Sequence, residues 1–198
     1  MSTFVPSAGE PMSVKQAWDP GAPLQRLRMS WEEYLRLPEK PKAEFVDGEV
    51  VVTPPVSFPH GIATAALGQA LRSGLPELYV AGEIGLQLPR NRLRAPDLMV
   101  VERRPTGTWV TESPVLVIEV LSPSTRLEDL VRKSAEYAEG GCGQYWVVDP
   151  EARVIEVLDN VDGTWETVLR LDDHATTGEV RVSRHGTVAL DLDEIVPI

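Results

Sequence analysis

Short apolar runs dominate the middle of the chain, and turn residues separate them. Runs of this length, rich in Val, Ile and Leu, predict β-strands. The two strongest cover residues 95–101 and 115–121, and they carry one carboxylate each, Asp97 and Glu119. Because an unpaired charge inside an apolar strand is costly, these two carboxylates indicate a functional site.

Alternation along the strands predicts where the two carboxylates point. Asp97 shares a strand face with Met99, and Glu119 shares one with Val117. If the strands are neighbours, the carboxylates can lie side by side, and such a pair is relieved most simply by a divalent cation. Mg²⁺ binds through one or two carboxylates and keeps positions for water and phosphate oxygens. A second interpretation is that both carboxylates only accept backbone hydrogen bonds, without metal.

A helix is predicted after the second strand, with Ser122–Thr125 supplying its caps. Its apolar stripe has a period near 3.6 and comprises Leu127, Leu130, Val131, Ser134, Tyr137 and Ala138. Lys133 lies at the edge of the stripe, from where its long stem can bring the ammonium to the sheet. Lys133 also follows Asp129 by four residues, and such pairs are usually solvated and stabilise a helix by roughly 0.2–0.5 kcal/mol. Both interpretations of Lys133 stay open.

The remaining pattern predicts an α/β domain with a mixed β-sheet flanked by helices. It begins with an antiparallel hairpin, because Asp47-Gly48 suits a primed turn between two apolar strands. The other predicted elements are a helix at His60–Ser73, a strand region at Leu78–Leu88, a buried strand at 144–148, and an antiparallel pair at 154–158 and 164–169. A chain of 198 residues suits one domain, predicted over 28–198 after a poorly ordered tail at 1–27 that is rich in Pro, Gly and Ser.

The net charge of −11, with only four lysines, argues against broad electrostatic capture of nucleic acid. A local basic surface is still predicted, because Arg90, Arg92 and Arg94 alternate directly before Asp97 and would point to one side of an extended segment. These arginines are candidates for nucleic-acid contact, and the alternative is a solvated loop.

The chain has no apolar run long enough for a membrane span and no signal-peptide pattern at its N-terminus. Its one cysteine, Cys142, has no partner for a disulfide within the chain, which fits a reducing compartment. The expected location is the cytoplasm, without membrane association.

Several motifs occur in a specific order. They are SWEEYLRLP at Ser30–Pro38, AEFVDGEVV at Ala43–Val51, Pro54–Pro55, His60, PD at Pro96–Asp97, EVLSPST at Glu119–Thr125, the D-x3-K-x3-Y run of Asp129, Lys133 and Tyr137, and YWVVDP at Tyr145–Pro150. Over roughly residues 29–158 the chain resembles the Uma family of restriction endonucleases, within the PD-(D/E)XK nuclease superfamily. The resemblance implies a restriction-endonuclease-like fold.

The resemblance also implies an enzyme, a Mg²⁺- or Mn²⁺-dependent endonuclease acting on nucleic acid, with DNA favoured over RNA. Asp97 and Glu119 match the metal-binding acids of the motif. The motif's lysine position holds Leu121, and the resemblance makes Lys133 its substitute for assisting the attacking water. Further candidates for the site are Glu44, His60 and Tyr137. A homodimer is expected, because two active sites suit duplex cleavage.

A different class of function stays open as well. Leu121 in the lysine position and the acidic net charge also fit a catalytically silent nuclease-fold protein that acts as a binding or scaffold module. Divalent ions that fail to raise the melting temperature would favour this alternative, since a ligand of the native state must stabilise it.

Overall fold

The structure, a computed structural model, describes residues 24–37 and 42–197. Residues 1–23 of the predicted N-terminal tail lie outside the described residues. Its predicted end at residue 27 was wrong, because Gln25–Arg28 form strand β1. Leu27 of this strand pairs with Val50 and packs against an apolar cluster, which ties the segment to the domain.

Thirteen strands and five helical segments occur in the described part of the chain. The strands are β1, β2 (Ala43–Val46), β3 (Glu49–Val52), β4 (Tyr79–Ala81), β5 (Leu86–Leu88), β6 (Arg92–Arg94), β7 (Leu98–Val101), β8 (Leu116–Val120), β9 (Gln144–Asp149), β10 (Val154–Val161), β11 (Thr164–Leu171), β12 (Thr177–Val182) and β13 (Gly186–Asp191). The helices are α1 (Trp31–Tyr34), α2 (Phe58–Gly74), a π-helical turn (Glu128–Lys133) that continues into α3 (Ser134–Glu139), and α4 (Leu192–Ile195).

The predicted mixed α/β architecture is confirmed, but the strands divide among three sheets. A six-stranded sheet has the order β11-β10-β9-β8-β7-β4, in which β8 and β9 are parallel and the other neighbours are antiparallel. A five-stranded sheet, β1-β3-β2-β6-β5, holds the predicted hairpin, and β12 pairs with β13. The predicted strand region at Leu78–Leu88 contains β4 and β5, which lie in different sheets because residues between them turn away.

The predicted hairpin turn is confirmed. Asp47 and Gly48 both have positive φ angles, 52° and 82°, and connect β2 to β3. A primed turn requires this left-handed backbone at both central positions, and Gly adopts it without strain. The turn therefore fixes the register in which Glu44 of β2 lies opposite Val51 of β3.

Apolar side chains cover both faces of the six-stranded sheet. On one face, Leu98 and Ile118 pack with Leu67 of α2 and Ile195 of α4. On the other, Met99 and Val117 belong to a cluster that includes Leu121, Tyr137, Tyr145 and Val147. The predicted alternation of β7 and β8 between two faces is therefore confirmed, and helical residues from both sides complete the core.

The apolar stripe predicted after β8 does not form the buried side of the helix. Leu127 is 79% exposed and Val131 is 62% exposed. The buried residues of this helical segment are instead mostly charged: Glu128, Asp129, Lys133, Glu136, Tyr137 and Ala138. The reason is that charged side chains of the strands, described below, lie beneath this helix and pair with its polar face.

Within the described ranges, no helix is both long and apolar enough to cross a membrane.

Candidate functional site

Asp97 and Glu119 lie opposite each other on neighbouring strands. β7 and β8 are antiparallel with Leu98 opposite Ile118, so Asp97, one residue before β7, falls opposite Glu119. Both side chains are buried, and both line one cavity of about 200 Å³ together with His60. The side-by-side arrangement expected from strand alternation is thus present.

The two oxygens of Asp97 have different surroundings. Oδ2 accepts a hydrogen bond from the backbone N–H of Val120 at 2.9 Å. Oδ1 lies 3.4 Å from Lys42 Nζ and 3.4 Å from His60 Nε2. Burial alone would raise the pKa of Asp97, but His60 and Lys42 outweigh it and hold this pKa well below its usual range. Asp97 is a charged carboxylate with one oxygen fixed to the backbone.

Glu119 is held from the helical side of the site. Its Oε1 accepts hydrogen bonds from Lys133 Nζ at 2.9 Å and from the Tyr137 hydroxyl at 2.6 Å. Burial raises the pKa of Glu119 to about 8, with Asp129 and Asp97 adding to the rise and Lys133 opposing it. Burial thus outweighs the stabilisation that the Lys133 ammonium gives to the charged form of Glu119.

Lys133 is buried among three carboxylates. Its Nζ lies 2.9 Å from Glu119, 3.0 Å from Asp129 and 3.4 Å from Glu44. Burial disfavours the charged lysine, but these carboxylates raise its pKa well above the usual value. Lys133 is therefore a charged ammonium that three acidic side chains hold in place. The interpretation of Asp129–Lys133 as a solvated pair was wrong.

Leu121 fills the position in which the nuclease motif has lysine. Its side chain is buried in the apolar cluster with Tyr137 and Tyr145. Position 121 therefore contributes to the core, and an ammonium reaches Glu119 from the following helix instead. The structure thus brings Lys133 to the place where the resemblance expects a substitute lysine.

Glu44 joins the site from the five-stranded sheet. Its Oε1 accepts a hydrogen bond from the backbone N–H of Ala95, and its Oε2 accepts one from Arg94, both at 2.9 Å. Burial would raise the pKa of Glu44, but Lys133 and Arg94 hold it at about 2. Glu44 therefore restrains Lys133 as a permanently charged neighbour.

Arg94 connects Glu44 to the charged helix. Its side chain has no exposed surface, and it donates two hydrogen bonds to Glu136, at 2.6 and 2.9 Å, and one to Glu128 at 2.8 Å. Arg26 of β1 also pairs with Glu128. Three carboxylates from three elements thus converge on one buried guanidinium, whose planar fork suits several partners at once.

The predicted basic surface at Arg90, Arg92 and Arg94 does not form as expected. Arg94 is fully buried, and Arg92 is nearly so, with hydrogen bonds to Asp47 at 2.9 and 3.1 Å. Arg90 is exposed and pairs with Glu139 at 2.8 Å. Arg92 and Arg94 are too buried to contact a nucleic acid, and their guanidinium groups form ion pairs with carboxylates within the domain.

His60 lies in the first turn of α2. The helix starts two residues earlier than predicted, with Ser57 as its N-cap and Pro59 inside the first turn, a position that proline tolerates. Nε2 of His60 faces Asp97, whereas its Nδ1 is buried and has no hydrogen-bond partner among residues 24–37 and 42–197. A buried ring nitrogen without a partner is uncommon in folded proteins.

Two residues of the site, Lys42 and Asp129, were not among the candidates predicted from the sequence. Lys42 lines the cavity beside Asp97, and Asp129 is buried next to Lys133. A signal for Lys42 exists, because residues 42 and 44 of one extended segment point to the same side and Glu44 was already a candidate. Asp129 carried a signal as the Asp of the D-x3-K-x3-Y run, but its spacing to Lys133 is also that of a common surface pair.

The donor set of the cavity fits a hard divalent cation. Over the described residues, no group of three or more His, Cys, Asp or Glu side chains is arranged to hold a metal ion. Mg²⁺, however, needs only one or two carboxylates when water and phosphate oxygens complete its shell. Three acidic side chains, Asp97, Glu119 and Asp129, line this one cavity, and such a cation would neutralise their charge. Asp97 and Glu119 would hold it.

Comparisons with known proteins identify the family and the fold. The sequence model of a family described as "Uma2: Putative restriction endonuclease" matches residues 31–185. A crystal structure of "a putative nuclease belonging to DUF820" from Anabaena variabilis ATCC 29413 superposes with a TM-score of 0.68 at 17% identity, covering 85% of this chain and 97% of that one. At this identity the likeness shows a shared fold, which is restriction-endonuclease-like as expected. No match was found among curated proteins.

Proposed function

Because the chain belongs to the Uma2 family of restriction endonucleases, we propose that it is a metal-dependent nuclease that hydrolyses phosphodiester bonds of nucleic acid. Asp97 and Glu119 form its proposed active site. The observation that carries the proposal is the pair of buried carboxylates on neighbouring strands, with the Lys133 ammonium 2.9 Å from Glu119. The family description makes DNA the substrate to test first, with Mg²⁺ or Mn²⁺ as the ion.

Asp97 and Glu119 are the proposed metal ligands. A bound ion would neutralise charge on the phosphate and lower the pKa of a water molecule. The site's contribution is to hold two carboxylates rigidly, Asp97 through Val120 N–H and Glu119 through Lys133 and Tyr137. Rigid placement matters because a misplacement of about 1 Å can cost on the order of 100-fold in rate.

Lys133 is proposed to stabilise the charge that develops during hydrolysis. The water oxygen forms a bond to phosphorus and releases a proton to solvent, the bond to the leaving oxygen breaks, and the leaving oxygen takes up a proton from solvent. Negative charge grows on the phosphate oxygens in between, and a fixed ammonium nearby stabilises it. Glu44 and Asp129 keep the Lys133 ammonium in place, and Tyr137 orients Glu119.

The proposal is tested with Asp97→Asn and Glu119→Gln, each of which replaces a metal-binding carboxyl group by an amide at nearly constant volume. The purified wild type should melt at a higher temperature in millimolar Mn²⁺, by a stabilisation that reaches roughly 2.7 kcal/mol when the ion is 100-fold above its Kd. Both variants should lose this response and the Mn²⁺-dependent cleavage of plasmid DNA.

Asp149→Asn is the matched control. Asp149 is as buried as Asp97, 6% exposed in both cases, and lies at the end of neighbouring β9, where it pairs with Arg126 at 2.5 Å outside the cavity. This variant should keep the metal response and the cleavage. Unchanged cleavage in both Asp97→Asn and Glu119→Gln would refute the nuclease mechanism. A wild type that shows neither metal response nor cleavage would favour the binding module.

A further inference from the structure

The two lysines of the site are held in different ways. Lys133 is 4% exposed and touches three carboxylates at 2.9 to 3.4 Å. The Lys42 side chain is 22% exposed, and its Nζ lies 3.4 Å from Asp97 and 3.7 Å from the largely exposed Glu83. Since good N–H···O hydrogen bonds measure about 2.7–3.2 Å, Lys42 is the more loosely held lysine.

Lys42 meets the oxygen of Asp97 that a cation would use. Oδ2 is taken by the backbone N–H of Val120, so Oδ1 is the oxygen left for a ligand, and Lys42 Nζ and His60 Nε2 both lie 3.4 Å from it. Two cations cannot share this position without strong repulsion. An ion that binds Asp97 and Glu119 must therefore move the Lys42 ammonium away.

We propose that the Lys42 ammonium competes with the divalent ion for Asp97. The bound ion displaces this ammonium, which then binds a phosphate of the nucleic-acid strand. The proposal rests on the proposed function and deepens it. The flexible four-carbon stem allows the move, and the cavity that Lys42 lines leads from Asp97 past Pro55 and Val56, both exposed. Lys42 thus lowers metal affinity before substrate arrives and adds a phosphate contact afterwards.

The proposal predicts opposite effects of one substitution. Lys42→Met keeps the length of the stem and removes the charge. Its Mn²⁺ affinity, measured by isothermal titration calorimetry without substrate, should be roughly tenfold tighter than that of the wild type, the size expected for one charge removed at a partly exposed site. Its cleavage of DNA at saturating Mn²⁺ should nevertheless be at least about tenfold slower.

Two variants serve as controls. Lys42→Arg keeps the charge and should keep the weaker Mn²⁺ affinity of the wild type. Arg72→Met removes one positive charge from the exposed end of α2, twelve residues after His60 and so about 18 Å along the helix axis. It should leave both affinity and cleavage unchanged, which separates a local effect of Lys42 from the net charge. Circular dichroism melts check that each variant is folded.

The outcomes separate this inference from the proposed function. If the wild type binds Mn²⁺ and folded Lys42→Met binds it no more tightly, the competitor role is overturned while the nuclease site stands. If Lys42→Met binds more tightly but cleaves as fast as the wild type, the phosphate contact is overturned. If neither protein binds Mn²⁺, the proposed function fails and the inference fails with it.

Discussion

Helix α2 and the helical segment from Glu128 to Glu139 bury opposite kinds of side chain. In α2, the buried residues after the first turn are Ala63, Leu67 and Leu71, which pack on the six-stranded sheet as an ordinary apolar face. In the second segment, the buried side is largely charged, and Leu127 and Val131 are exposed. The difference shows that the second segment is placed by ion pairs.

Such placement is costly unless every buried charge has partners. The structure meets this condition with Arg94, which pairs with Glu128 and Glu136, and with Lys133, which pairs with Asp129 and with carboxylates of the strands. Replacing such a network by apolar residues is often neutral or stabilising in other proteins. A helix that buries charge at a sheet edge is therefore a stronger indication of function than one that buries leucine.

The largest effect on the charged helix is expected from Arg94→Met. This change leaves Glu44, Glu128 and Glu136 buried without their shared cation, and breaking a buried charge pair costs about 3–5 kcal/mol. The free energy of unfolding, measured with urea, should fall by that amount. Arg90→Met, which removes an exposed partner of Glu139 only, should cost less than about 1 kcal/mol. Equal losses in the two variants would contradict the comparison.

A somewhat smaller effect is expected in α2. Leu67→Ala removes a fully buried side chain from the apolar cluster, and such changes cost about 2–5 kcal/mol. Leu127→Ala, on the charged helical segment, should change the free energy of unfolding by no more than about 0.5 kcal/mol because its side chain is exposed. Urea unfolding of the two variants measures the difference. A loss above about 2 kcal/mol for Leu127→Ala would mean that this leucine is buried in solution.

The smallest predicted effect concerns how the two segments begin. The Ser57 side chain caps α2 by accepting from His60 N–H, whereas Leu127, directly before the charged segment, forms no side-chain cap. Ser57→Ala should lower the free energy of unfolding by about 1 kcal/mol. Ser73→Ala, at the exposed far end of α2, is the control and should be close to neutral in the same urea titration. A cost for Ser73→Ala as large as that for Ser57→Ala would refute the capping explanation.

The same contrast explains which expectations from the sequence succeeded. Strand alternation gave the strand faces on which Asp97 and Glu119 meet once β7 and β8 pair, and Asp47-Gly48 identified the hairpin turn. Both rest on local geometry, since side chains alternate with period 2 and a primed turn needs two left-handed residues. Resemblance to a nuclease family then singled out Lys133, whose helix pattern alone left its role open.

The sequence by itself determined the two central strands, the hairpin turn and the strand faces of Asp97 and Glu119, because these follow from neighbours along the chain. Only the tertiary structure decided that Arg94 is buried, that Lys42 reaches Asp97, and that the helix after β8 turns its charged side inward. The reason is that these outcomes depend on partners far apart in sequence. Arg94 and Glu136 are 42 residues apart, and Lys42 and Asp97 are 55 apart. A local pattern shows which helix face is polar, but the surface that meets it decides which face is buried.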